Sequence, residues 1–422
     1  MRTSKKNRFF ILYATILGGI VEWYEIFLFI FWNELFSKLF FNNNTKLAIY
    51  NILFIFFFGF LGRPIGAVFF GDIGDRFGRR LAFISSIALM VLPSILIGLM
   101  GLWILPSSGY AVAITLCLLR FIQGMSAGAE LPGAMCYLIE IAPPNKRAFY
   151  SSFSFLGPQI GILLSQLESY FFETHFSKHF VENYGWRISF IIGGIIGFIA
   201  LFSRQYLQES PVFKTLKEKK LVSHKPVVES FEHGPKIFLG FFGSLLAVIG
   251  FYMLSIFIDV YFSSVFSIRK TNILLISICV MGFSTATLTL FGRLGDRFPI
   301  RKLLTLSAIG IALFSLPLYF WTSIYFVLFI IAFLMILLNI QFAILPSYIA
   351  ELFPSSIRYT GIALSFGFCD SVIGGATPWI AGMLTKKAGV VPTFTTFIFI
   401  ASLISLGIFL ITKKNELKIT NT

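Results

Sequence analysis

The 422-residue chain reads as an all-α integral membrane protein, with twelve transmembrane helices arranged as two six-helix bundles. Three observations lead there. The composition is 57% hydrophobic and 13% charged, with a mean hydropathy of +0.84, which is more apolar surface than one soluble core can hide. Apolar runs long enough to cross a hydrocarbon core, which takes ~20 helical residues, recur along the whole sequence. One charged loop also occurs twice, as Gly-Asp-Ile-Gly-Asp-Arg-Phe-Gly-Arg-Arg at 71–80 and more loosely as Gly-Arg-Leu-Gly-Asp-Arg-Phe-Pro-Ile-Arg-Lys at 292–302.

In chain order the predicted spans are 9–32, 47–70, 81–105, 111–142, 150–173, 186–207, 237–263, 271–291, 303–320, 323–351, 359–383 and 391–412. Six fall on each side of a polar, lysine-rich stretch. This predicts an N-terminal bundle over 1–207, a linker over 208–236 and a C-terminal bundle over 237–422. No small-residue cleavage site follows the first span, so it is expected to be retained rather than removed as a signal peptide. If the chain starts inside the cell, 23 Lys and Arg fall in inner segments and seven outside: Lys38, Lys46, Lys178, Arg269, Lys270, Lys386 and Lys387. Arg63, Arg120, Arg187 and Arg204 lie within or at the ends of spans. That bias predicts both termini in the cytoplasm.

The duplication extends beyond the loop. Tyr137, Glu140, Pro144 and Arg147 have counterparts in Tyr348, Glu351, Pro354 and Arg358, with Tyr-to-Glu spacing of three and Glu-to-Arg spacing of seven in both. Parallel repeats with matching charged punctuation are expected of a secondary carrier. The net charge of +15 is spread over short loops between spans, which fits topology and argues against a nucleic-acid partner. Cys117, Cys136, Cys279 and Cys369 lie far apart in predicted spans, and His175, His179, His224 and His233 lie in loops. Neither a disulfide framework nor a metal site is indicated, and no cofactor is expected. A phosphate-binding Gly-Lys-Ser/Thr loop is absent too, so the chain is not read as an enzyme.

The loop at 71–80 resembles the signature of the major facilitator superfamily. Four further segments resemble its metabolite:proton symporter branch, which includes proline/betaine, dicarboxylate and shikimate transporters. They are Val21-Glu22-Trp23-Tyr24-Glu25, Arg63-Pro64-Ile65-Gly66, the run from Arg120 to Glu140, and Trp186-Arg187 with Gln208-Glu209-Ser210-Pro211. The resemblance implies a major facilitator fold and proton-coupled symport of a small polar metabolite by alternating access. The chain departs from the branch at Glu25, where Asp is usual, at Ala129, where a second Gly is, and at Gly367, where Asn is common. About ten residues follow the last predicted span, so the long cytoplasmic tail of some osmosensing members, and osmosensing with it, is not expected.

Charges inside a bilayer cost at least ~2.5–3.5 kcal/mol on insertion scales, so each asks for a role. Glu22 and Glu25 sit three apart in span one, and Arg120, Gln123 and Glu130 lie along span four. At ~1.5 Å per residue, Glu22 and Glu130 come to similar depth, and the long Arg120 side chain is expected to reach Glu25. Two carboxylates in a poorly solvated cavity would let one carry a proton, with Arg120 offered to a substrate carboxylate. Trp23 and Tyr24 flank these acids. Tyr252, Gln341 and Trp379 are further cavity candidates, and aromatic faces suit a quaternary ammonium. Asp370, deep in span eleven, is a weaker candidate, and Asp259 and Glu168 are expected near water at outer ends.

The loops predict a gate. Gly71 and Gly78 allow a tight turn, Asp75 suits a helix N-terminus, and Arg76, Arg79 and Arg80 are expected to face the cytoplasm with Glu140 as partner. Arg147 belongs to the same cluster. The second copy is expected to use Asp296 and Arg297 with Glu351, near Arg358, more weakly because Pro299 replaces a glycine and one residue is inserted. An uncoupled facilitator is one alternative; a drug or metabolite:proton antiporter, suggested by Gly157-Pro158-x-x-Gly161, is another. The partners implied are a small-molecule substrate, protons and the lipid bilayer, with the chain working as a monomer. Its richness in Phe, Ile, Lys and Asn points to a bacterial cytoplasmic membrane.

Overall fold

A computed structural model describes residues 5–40, 45–100, 109–320 and 323–412. The short basic tail before the first helix and the residues after the last, expected on the same side of the membrane, lie largely or wholly outside them. Among the described residues the regular structure is helical throughout, as a hydrocarbon solvent demands of any backbone that cannot close into a barrel.

The N-terminal half contributes α1 (Lys5–Phe40), α2 (Thr45–Arg76), α3 (Arg79–Gly98), α4 (Gly109–Ile141), α5 (Arg147–His175) and α6 (Trp186–Gln205). Two short helices, Pro211–Glu218 and Pro226–Glu232, lie in the polar stretch that follows. The C-terminal half begins with α7 (Gly234–Ser255), which is interrupted at Ser244 and, after Ile256, continues as Phe257–Phe266. Then come α8 (Lys270–Gly295), α9 (Ile300–Ser315), α10 (Ile324–Leu352), α11 over 358–388 and α12 (Val390–Ile411).

Nine described helices are long and apolar enough to cross a membrane on length and composition alone. Two of the other predicted spans, α5 and α11, are helical too and miss that signal for identifiable reasons. In α5, Ser151, Ser152, Ser154, Gln159, Ser165, Gln166 and Ser169 are buried against neighbouring helices, so the helix is polar where it meets protein. In α11, α-helical turns give way to wider π turns at Ala363–Gly367 and Cys369–Gly374, which splits one span into short pieces. Large apolar side chains meanwhile point outward; Leu92, Phe198, Leu313 and Phe329 are each about 60% exposed. A surface of that kind is stable only in lipid.

Close helix packing depends on missing side chains. A Cβ on Gly66 would lie 1.9 Å from the Met125 carbonyl oxygen, and one on Gly128 would lie 2.0 Å from that of Arg63. The glycines therefore let α2 and α4 approach backbone to backbone, as small residues do in membrane bundles. Replacing Gly66 or Gly128 by Leu is expected to destabilise the bundle by about 1–3 kcal/mol or more, because the clashing atom is backbone and cannot swing away. Thermal unfolding of the detergent-solubilised variants checks this, and an unchanged Tm would count against the seam.

Candidate functional site

The buried ionisable groups form layers along the helix axes. The end that carries residues 71–80 is the loop end, and the opposite end the far end. Nearest the far end, Glu25 Oε2 accepts a hydrogen bond of 2.5 Å from Gln123 Nε2, which also reaches Ser94 Oγ at 3.1 Å. Arg120 does not close an ion pair with Glu25, contrary to its expected reach. Its guanidinium lies instead over the Phe29 ring, 3.9 Å from the centroid, with Phe190 on another side at 5.3 Å. Its Nε and Nη2 atoms are buried without a hydrogen-bond partner.

One layer deeper, Arg63 joins the two halves of the molecule. Its Nη1 donates to Asp370 Oδ2 at 2.6 Å and its Nη2 to Glu22 Oε1 at 3.3 Å. Tyr252 donates to Asp370 Oδ1 at 3.3 Å. Phe60 and Trp23 cover the guanidinium at 4.5 and 5.5 Å, and Trp23 meets Phe251 edge-on at 4.7 Å. Asp370 reaches this position from the π turns of α11, an irregularity of the kind often found at functional sites. Between the two layers is a cavity of about 40 Å³, lined among others by Glu22, Glu25, Arg63, Arg120 and Gln123. It has room for a few waters and none for a metabolite.

Glu130 and Glu22 do not share a site. Glu130 forms a bidentate pair with Arg204, whose Nη1 lies 2.7 Å from Oε2 and also donates to the Phe83 carbonyl at 2.9 Å. Arg63 and Arg204 are thus the arginines that reading the sequence by depth missed. Their signal in the sequence is a cation within or at the end of an apolar run. Glu168, expected in water, is partly buried and accepts the Tyr24 hydroxyl. Gln341 bonds within its own half, to the Leu304 carbonyl at 3.1 Å and Ser307 at 2.6 Å, and Trp379 is 59% exposed, so neither lines the central cavity.

At the loop end, Asp75 accepts from the backbone N–H groups of Tyr359 at 3.3 Å and Thr360 at 2.8 Å. These are unsatisfied donors of the first turn of α11, so a carboxylate from one half caps a helix of the other. Arg79 does not face water as expected; it is fully buried. It lies 2.9 Å from Asp75, grips both oxygens of Glu140 at 3.1 Å and donates to the carbonyls of Gly74 at 2.7 Å and Ser355 at 2.8 Å. Glu140 accepts two further bonds, from Arg358 Nη1 at 3.4 Å and from the Ser210 hydroxyl at 2.5 Å. Arg76 is exposed and pairs with Asp72 at 3.0 Å. Gly78 holds φ at +119°, a conformation that favours glycine, and Gly71 passes close to the Thr360 backbone.

The second loop repeats the cap but not the arginine cluster. Asp296 accepts from Ala148 N at 2.9 Å and Phe149 N at 3.3 Å, which caps α5 from the C-terminal half. Arg297 is exposed and does not form the expected ion pair with Glu351. Glu351 sits instead in the field of Arg147 and Arg358. Arg301, one position past the counterpart of Arg79, turns away to the Leu410 carbonyl at 2.5 Å.

Removing one member of a buried pair strands the other. Glu130→Ala is therefore expected to cost about 3–5 kcal/mol of stability, whereas Glu130→Leu together with Arg204→Leu regains most of that loss. Thermal unfolding of the single and double variants tests it; equal losses in both would show that the pair is not what the fold depends on there.

Residues 11–236 match the family model described as Sugar (and other) transporter, and residues 240–421 match Major Facilitator Superfamily. A Staphylococcus aureus (strain MSSA476) protein, provisionally named a proline/betaine transporter, is 28% identical over 395 residues, covering 89% of this chain and 82% of its own. The inner membrane metabolite transport protein YhjE of Escherichia coli (strain K12) is 29% identical over 402 residues, covering 92% and 90%. The major facilitator proton:xylose symporter XylE bound to 6-bromo-6-deoxy-D-glucose superposes with a TM-score of 0.82 at 19% identity, over 97% of this chain and 95% of that one. The chain belongs to the major facilitator superfamily and is a multi-pass membrane transporter of small molecules.

Proposed function

We propose that the protein is a proton-coupled symporter that imports a small polar metabolite, of the proline/betaine or carboxylate kind, across a bacterial cytoplasmic membrane by alternating access. The observation that carries this reading is the charge count around Arg63. One guanidinium stands between two buried carboxylates, Glu22 and Asp370. A full negative charge without a counter-charge is costly in that setting, and a proton is the smallest group that removes it. Because Asp370 belongs to the C-terminal half and Glu22 and Arg63 to the N-terminal half, protonation changes the attraction between the halves.

Proton transfer and rocking are thereby tied to one cluster. In the proposed cycle a proton neutralises Glu22 or Asp370, Arg63 is held by one acid rather than two, and the halves separate enough to enlarge the small central cavity. Arg120, with two unpaired donors, and Gln123 then meet the substrate, while Glu25 is a second proton site. With the termini taken as cytoplasmic, the loop end is the inner gate, closed here by Asp75, Arg79, Glu140 and Asp296. Similarity to proteins named for proline/betaine and metabolite transport supports the substrate range.

Uptake into proteoliposomes under an imposed inward proton gradient tests the whole reading. Accumulation of labelled proline, betaine, 2-oxoglutarate, citrate or shikimate that an uncoupler abolishes is the expected result; flux that only equilibrates points to a facilitator. Glu22→Gln, Glu25→Gln and Asp370→Asn are each expected to abolish uphill uptake. If all three still accumulate substrate, the proton assignment is wrong.

The gate carries its own test. Losing a cap costs about 0.5–2 kcal/mol, so Asp75→Ala is expected to shift the balance of gate states by about 2- to 30-fold and to slow turnover while substrate binding persists. Wild-type transport rates in Asp75→Ala would remove the gate role.

A further inference from the structure

At the far end a cavity of about 440 Å³ opens between the two halves, among α1, α5, the continuation of α7 and α8. Its walls carry charges of both signs, Asp259 on the helix Phe257–Phe266 and Lys270 at the first residue of α8. Two other side chains in the wall are buried and have a polar atom without a partner: Gln166 Oε1, in a residue 8% exposed, and Ser255 Oγ, in one 3% exposed. Buried polar atoms are almost always satisfied in folded proteins, so these two are free to bond a polar guest in the cavity.

Lys270 also ties the halves together. Its Nζ lies 2.8 Å from Glu173 Oε1 on α5 and 4.6 Å from the centroid of the Phe31 ring on α1. Asp296 caps the opposite end of the same α5. The α5–α8 pair is therefore fastened at both ends, tightly at the loop end by a half-buried cap and loosely at the far end by an ion pair open to solvent.

We infer that this vestibule is an entry site for a small zwitterion that carries at least one N–H. The cationic end of the guest faces Asp259 and donates to Gln166 Oε1; its carboxylate faces Lys270 and accepts from Ser255. Arrival of that carboxylate offers Lys270 a second anion in competition with Glu173, so binding loosens the far-end tie between α5 and α8. A dicarboxylate meets repulsion from Asp259, and an uncharged sugar leaves both charges unmatched. The inference rests on the transport reading only for the direction of entry.

The test places a reporter in the wall. Ser263→Cys, at an exposed position lining the cavity, is labelled with a charged maleimide in nanodiscs, with the parent chain as baseline for its own four cysteines. L-Proline is expected to slow the labelling, and acetate and glycine betaine, both lacking the N–H, to slow it less. In Asp259→Asn or Lys270→Gln the half-protecting proline concentration rises about tenfold or more, as for any lost hydrogen bond to a charged group, while Lys270→Arg keeps protection. Absence of protection, equal protection by acetate, or protection indifferent to both charge-removing variants overturns the site. Uptake by the same protein separates the two readings. Protection without proton-driven uptake leaves the entry site and removes symport, whereas proline uptake without protection removes the entry site alone.

Discussion

The fully buried guanidinium of Arg79 holds the loop end together. It satisfies two carboxylates and two carbonyls at once, and those groups come from α2, α4 and the segment that leads into α11. Without water, each of these groups needs the others: Asp75 and Glu140 need a counter-charge, and Arg79 needs acceptors for its donors. The geometry of Asp75 in turn decides where α11 starts, because its carboxylate occupies the first N–H groups of that helix. The path of α11 then determines where Asp370 meets Arg63.

The start of the linker is stitched to the same cluster. Glu209 accepts from the backbone N–H groups of Arg79 at 3.0 Å and Arg80 at 3.2 Å, which caps α3. Ser210 donates to Glu140 and accepts from Phe213 N at 2.9 Å, which starts the helix Pro211–Glu218. The Tyr137 hydroxyl donates to the Gln208 carbonyl. The chain therefore leaves the N-terminal bundle through groups that are themselves part of the inter-half contact.

The two halves are related by sequence, but the pseudo-symmetry is broken where it matters. Both loops supply an aspartate that caps a helix of the other half, α11 for Asp75 and α5 for Asp296. Only the first loop adds a buried arginine. An inserted residue and Pro299 displace Arg301, which bonds outward to the Leu410 carbonyl instead. The α5–α8 contact is thus weaker in ionic terms at the loop end than the α2–α11 contact, and it has its own tie at the far end through Glu173 and Lys270.

Much of this was legible in residues alone. Hydropathy and spacing determine that the chain crosses a membrane many times, because no soluble packing hides so many Phe, Ile and Leu. The duplicated loop determines that there are two halves, and Asp75 suits a helix N-terminus as a carboxylate in that loop, although which helix it caps is a tertiary matter. What the sequence could not decide is which charges meet. Depth along a helix is a one-dimensional measure, and it put Arg120 beside Glu25 and Glu22 beside Glu130. Pairing also depends on rotation about each helix axis and on helices distant in sequence, which sent Arg120 onto Phe29, Arg204 to Glu130 and Arg63 to Glu22 and Asp370. The polar face of α5 and the π turns of α11 escaped notice for a related reason: both are answers to neighbours that only the tertiary structure supplies.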